Sequence, residues 1–150
     1  MNKQPEYFWN EEHGIASASI YYKNYTFTGK AYCHPEDRDM MSKLTGQTIA
    51  EMRATIKYLK FVRDCELQPQ LKALKQLYYS MNYSKHFDPK SYEAKMLYKQ
   101  MNILQEDLKE NKYLIDFTKN NLETYLITKE RDHKQLREFI QKRKLAEDNQ

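Results

Sequence analysis

Glycine and proline are scarce in this sequence, at 3 and 4 of 150 residues. Their scarcity argues against a loop-rich fold and favours long regular elements. Two cysteines, Cys33 and Cys65, are too few for a disulfide framework or a four-ligand zinc signature, so reduced, intracellular thiols are expected. No basic start leads into an apolar run, so no secretory signal is expected. No stretch approaches the ~18 consecutive apolar residues of a membrane span. The formal charge of +4 is too mild for a dedicated DNA-binding protein.

Charged residues make up 31% of the chain and hydrophobic residues 40%, so surface outweighs core. The length suits a single domain. Tyrosine is abundant, with 13 copies, and its apolar face and polar tip suit interfaces and ligand walls. Residues 1–12 read as a polar arm pinned by Tyr7, Phe8 and Trp9. Two β-type runs, "IASASIYY" and "YTFTGKAYC", flank Lys23-Asn24 and predict an antiparallel hairpin within residues 13–33. In the second run Tyr25, Phe27, Gly29, Ala31 and Cys33 share a face. The small residues on it predict close approach by a helix.

"HPEDRD" ends the strand region, and a helical region is expected over 42–144. Its first helix, from near Thr45 to Asp64, carries Ile49, Met52, Ile56 and Leu59 at helical spacing beside a basic ridge of Arg53, Lys57 and Lys60. Pro69 is expected to break the chain before a second helix. Asp88 and Pro89 have the chemistry of a helix cap and a first helical position. From there to about Lys144 the chain has neither Pro nor Gly, which predicts one long helix. Along it Leu97, Met101, Leu104, Leu108, Asn111, Ile115, Thr118, Leu122 and Tyr125 step by 4 and 3 as a coiled-coil seam. The seam continues through the charged Lys129 and Asp132 to Leu136 and Phe139. A stripe this long must pack on the shorter helices, on a second copy of the chain, or on both. The expected fold class is α+β: a small antiparallel sheet followed by helices, the last long and coiled-coil-like, in a homo-oligomer.

Several motifs fall short of chemistry. Gly29-Lys30 lacks the further glycines and the Ser/Thr of a phosphate loop. Cys33, His34, Glu36, Asp37 and Asp39 have no second Cys/His pair to complete a metal site. Cys33 and His34 point to opposite faces of a strand and cannot pair as nucleophile and base. No catalytic constellation emerges, and neither an enzyme, a metal site nor a cofactor is expected. Two clusters could bind a ligand. Tyr78, Tyr79, Tyr83, Phe87 and Tyr92 surround a helix-helix turn with Asn82 and Lys85 among them, either as stacking faces for bases or as glue to a neighbouring subunit. Between Lys129 and Lys144 seven Lys/Arg face three acids, either as a phosphate site or as a solvated helix end.

The segment "FTGKAYCHPEDRD…TGQTIAEMRATIKYLKFVRD", with Gly29, Ala31, Cys33, Pro35, Glu36, Asp37, Gly46, Ile49, Ala50, Arg53 and Ala54, resembles the first family of phage anti-Thoeris proteins. The resemblance implies an α+β oligomer that soaks up an intact cyclic ADP-ribose-type signal made by bacterial TIR proteins, in the cytoplasm of the infected host. It also implies that cyclic oligonucleotides could be ligands. Its partners would be that signal and further copies of itself, with no membrane and no nucleic acid. The residues themselves nominate Arg53, Lys57, Asn82, Tyr83, Phe87, Tyr92, Arg131, Lys134 and Arg137 as ligand contacts. The alternatives are a coiled-coil protein that docks on a host protein, and a weak nucleic-acid binder.

Overall fold

The computed structural model describes residues 4–33 and 42–149. Its elements are β1 (Glu6–Asn10), β2 (Ile15–Tyr22), β3 (Tyr25–Tyr32), α1 (Lys43–Phe61), a π-helical stretch Val62–Leu67, α2 (Gln68–Asn82) and α3 (Tyr92–Asp148). The fold is α+β, an N-terminal three-stranded antiparallel sheet in the order β1-β2-β3 followed by helices. Among the described residues no helix is long and apolar enough to cross a membrane. The chain forms two compact units, Met1–Lys57 with Thr118–Gln150, and Tyr58–Phe117.

In the first unit the hairpin turns at Lys23-Asn24 as expected, with Lys23 in the left-handed region at φ 53°. The expected arm is instead an edge strand, because Glu6–Asn10 pair with Ile15–Ser19 in register. Period-2 alternation then puts Trp9, Ala16, Ala18, Gly29 and Ala31 on one face. α1 covers that face through Ala50, around a core of Ala16, Ala18, Ala31 and Ala50 with Trp9 and Ile49 packed against it. No large side chain is fully buried there among the described residues. Small residues are what allow the helix to lie so low. A Cβ placed on Gly29 would collide with the Ala50 carbonyl oxygen and lie 2.5 Å from the Ala54 amide nitrogen. The Tyr7 hydroxyl donates to Glu51 at 2.8 Å and ties β1 to α1. That bond to a carboxylate pushes the Tyr7 hydroxyl pKa up from its ordinary value.

β3 is the other edge of the sheet. Tyr22 and Tyr25 close a two-residue turn as a hydrogen-bonded pair, so the alternate residues Thr26, Thr28, Lys30 and Tyr32 point their backbone groups outward. Bare outward carbonyls invite strand addition. Here α1 covers two of them: Arg53 Nη1 donates to the Lys30 carbonyl at 2.6 Å and Lys57 Nζ to the Thr28 carbonyl at 2.7 Å. The basic ridge nominated for ligand contact is therefore engaged with the sheet edge. Replacing both residues by alanine is expected to lower stability by about 1–2 kcal/mol, since charged hydrogen bonds at an exposed site are only partly replaced by water. The same protein should scatter more light on concentration. An unchanged urea midpoint together with unchanged scattering would show that water serves the edge equally well.

α1 starts at Lys43, with Ser42 Oγ accepting from the Thr45 amide at 3.3 Å. The chain does not break at Pro69. Proline lacks the N–H that would reach the carbonyl four residues back, and its ring crowds that carbonyl. A wider π turn relieves both problems. The Gln68 amide reaches five residues back to the Arg63 carbonyl, and the helix continues as α2.

In the second unit Leu71 of α2 buries Leu97 and Met101 of α3, with Leu74, Tyr78, Met81, Leu104 and Leu108 around them. This part of the seam is thus covered from within the same chain. Asn111 is 4% exposed, and its Nδ2 donates to the Leu59 carbonyl at 3.0 Å while its Oδ1 is buried without a partner among the described residues. α3 begins three residues later than the Asp88-Pro89 signal suggested, because Ser91 caps it: Ser91 Oγ accepts from the Ala94 amide at 3.2 Å. Asp88 instead closes the preceding turn, accepting from the Lys90 amide at 2.9 Å.

Candidate functional site

The first unit contains a cleft of about 610 Å³ between the sheet, the start of α1 and the later turns of α3. Its volume falls within the range of small-molecule pockets, roughly 300–1,000 Å³. Gly14, Ala31, Gly46 and Ile49 are among its lining residues, and Trp9 and Tyr32 add aromatic side chains. Ser42, Thr45 and Cys33 add hydroxyl and thiol groups. α3 contributes Leu126, Lys129, Glu130, His133 and Arg137.

Local structure explains each placement. Gly14 takes φ 64° and its carbonyl accepts from the Cys33 amide at 2.8 Å, which extends the hairpin by one pair at the cleft. Gly46 lets α1 lie against Ala16 and Trp9: a Cβ there would sit 2.8 Å from Ala16 Cβ and 3.4 Å from Trp9 Cζ3. Lys129, His133 and Arg137 recur every four residues and so share one side of α3. The Lys129 ammonium lies 5.4 Å from the centre of the Tyr125 ring one turn earlier, a cation-π contact that restrains it. The first turn of α1 carries no acidic residue, so no acid within that turn offsets the positive end of the helix dipole, which Ser42 and Thr45 bring to the cleft. Two permanent cations, an imidazole and a helix start therefore meet an indole and a phenol around one opening. Such a site can hold an anion at one end and stack a planar ring at the other.

Only Arg137 among the nominated ligand residues lines this cleft. Arg53 and Lys57 serve the edge of β3. Arg131 and Lys134 are exposed on another side of α3. Asn82, Tyr83, Phe87 and Tyr92 belong to the second unit. There Tyr83 and Tyr92 are 90% and 73% exposed, while Phe87 packs edge-on against Tyr78 with ring centres 6.0 Å apart. The aromatic cluster is thus split between solvent and local packing. A shallow pocket beside it is lined by Asp88 and Glu93, which oppose an anion.

The seam residues Leu97, Met101, Asn111 and Ile115 are buried and Leu104, Leu108, Thr118, Leu122 and Tyr125 half-buried. Beyond Tyr125 the expected continuation is displaced. Asp132, Leu136 and Phe139 are exposed, whereas Leu126, Lys129 and His133 are half-buried. Within the first unit the half-buried line runs Thr118, Leu122, Leu126, Lys129 and His133, which follows a 3.6-residue period more closely than a 3.5-residue one. The four-residue spacing of Lys129, His133 and Arg137 is the signal in the sequence that marks this side.

Among the described residues no three His, Cys, Asp or Glu side chains are grouped to hold a metal ion. His34, Glu36, Asp37 and Asp39, weighed above as ligands, lie outside the described residues, as does the whole "HPEDRD" junction. No family model matches the chain, and no curated protein or solved structure matches it either.

Proposed function

We propose that the protein binds a phosphate-bearing cyclic nucleotide signal of the cyclic ADP-ribose type in the cleft of its first unit and holds it intact. On this reading it is a phage anti-defence protein that acts by sequestration, not by catalysis. The observation that carries the reading is the meeting of Lys129, Arg137 and the start of α1 with the Trp9 ring in one cavity of nucleotide size. The phosphates would take the cationic end, and the base would stack on the indole, an interaction worth ~1–3 kcal/mol per base. The strand-helix segment from Phe27 to Asp64, with its resemblance to the first anti-Thoeris family, supports the same reading.

Trp9 is the single tryptophan of the chain, so its emission reports on the cleft directly. Titration with a cyclic ADP-ribose isomer is expected to shift that emission. Heating the complex should then return the same compound by mass spectrometry. Arg137→Ala should weaken binding by tenfold or more, the loss of one charged hydrogen bond of about 1.5–3 kcal/mol. Unaltered emission, or recovery of a cleaved product, rules the proposal out.

A second reading, docking on a protein partner or a further copy of the chain, is favoured by a different observation. The last turns of α3 leave Leu136, Phe139 and Ile140 exposed on one side of the helix. An apolar stripe of this kind on a helix suits a partner helix.

A further inference from the structure

Among its described lining residues the cleft has one carboxylate, which an anion site does not need. Glu130 lines it between Lys129 and His133, on the same stretch of α3 as Arg137. A carboxylate beside a bound phosphate repels it, so Glu130 makes a cleft for a bare phosphate worse. An ionised carboxylate only accepts hydrogen bonds, and it can accept two at once. The matching ligand chemistry is a pair of adjacent hydroxyl donors. The vicinal hydroxyls of a ribose fit this description, and carboxylates serve that purpose in dinucleotide-binding sites.

Resting on the nucleotide reading above, we infer that Glu130 is a specificity residue: it accepts hydrogen bonds from ribose hydroxyls of the ligand and rejects anions that lack them. The division of labour follows from position along one helix. Arg137 lies about two turns beyond Glu130 and Lys129 is its neighbour, so a ligand spanning the cleft can present phosphate and sugar to the same side of α3. Trp9 remains for the base.

The test uses calorimetry for affinity and Trp9 emission for location, with ADP, 2′,3′-dideoxyadenosine diphosphate and inorganic pyrophosphate as probes at one ionic strength. The wild-type protein is expected to bind ADP about tenfold or more tightly than the dideoxy compound, the loss of hydrogen bonds to a charged acceptor. Glu130→Gln should weaken ADP by a similar factor, leave the dideoxy compound nearly unchanged, and leave pyrophosphate unchanged or tighter. Glu130 is exposed on its helix, so the variant should keep the wild-type circular dichroism. If Glu130→Gln instead tightens all three probes alike, Glu130 merely repels anions and the inference is overturned while the nucleotide reading stands. Equal wild-type affinity for ADP and its dideoxy form has the same consequence. If none of the three probes binds, this inference is overturned, while the nucleotide reading stands or falls on the cyclic ADP-ribose titration above.

Discussion

A Gly29→Val protein is expected to lose the packed sheet-and-helix unit. The first new atom at this position falls on the backbone of α1: the Ala50 carbonyl oxygen, the Ala54 amide nitrogen at 2.5 Å and Arg53 Cβ at 2.9 Å. Helix backbone cannot rotate aside as a side chain does, so the helix must lift from Ala16, Ala18 and Ala31. Ordinary over-packing costs about 1–3 kcal/mol. Here the lost alanine contacts add to that, and a cost of about 4 kcal/mol or more is expected against a typical domain stability of 5–15 kcal/mol. The measurement is a urea titration followed by Trp9 emission, because Trp9 packs on this core. Gly46→Ala makes the control. Its new atom would fall 2.8 Å from Ala16 Cβ, which is fixed to β2, but meets no backbone atom of another element, and a smaller cost of about 1–3 kcal/mol is expected. A Gly29→Val protein with the wild-type midpoint would show that α1 does not rest on β3 through this glycine.

The second large effect belongs to Asn111. Asn111→Asp should destabilise the protein by about 3–5 kcal/mol at neutral pH, the usual cost of an unpaired buried charge. The substitution removes the Nδ2 donor to the Leu59 carbonyl and sets carboxylate oxygens against that carbonyl in a site 4% exposed. Burial raises the folded-state pKa of the new carboxyl above its unfolded value of ~3.9. The penalty is therefore complete above the raised value and fades as pH falls through it towards ~4. Asn111→Leu should behave differently. It removes the orphan Oδ1 along with the donor, and Leu59 keeps the chance of a helical partner, so a change within about 1 kcal/mol is expected. Thermal unfolding by circular dichroism across pH distinguishes the two variants. Equal destabilisation by both, independent of pH, would mean that Asn111 acts through its shape alone.

Asn111 also illustrates what sequence patterns carry. Its place on the seam follows from spacing, and a polar residue at such a position is expected to set register. Its partner, the Leu59 carbonyl just before the π turn, follows from no spacing rule. The same contrast holds for Arg53 and Lys57. Helical period puts them on one ridge, whereas the outward carbonyls of β3 determine what that ridge does. Strand β1 was hidden because its five residues have little alternation of their own and gain their conformation by pairing with β2.

The sequence alone determined the hairpin around Lys23-Asn24, the small-residue face at Gly29 and Ala31, and a proline-free long helix. Each depends on residues within a few positions of one another, where sterics and hydrophobic period act directly. Only the tertiary structure decided which cations face the cleft. Trp9, Gly46 and Arg137 are far apart in the chain and meet because a glycine-alanine face seats α1 low on the sheet and the later turns of α3 line the same cleft. The four-residue spacing groups Lys129, His133 and Arg137 on one side of α3, but which elements that side meets depends on packing between distant parts of the chain, and no local pattern displays it.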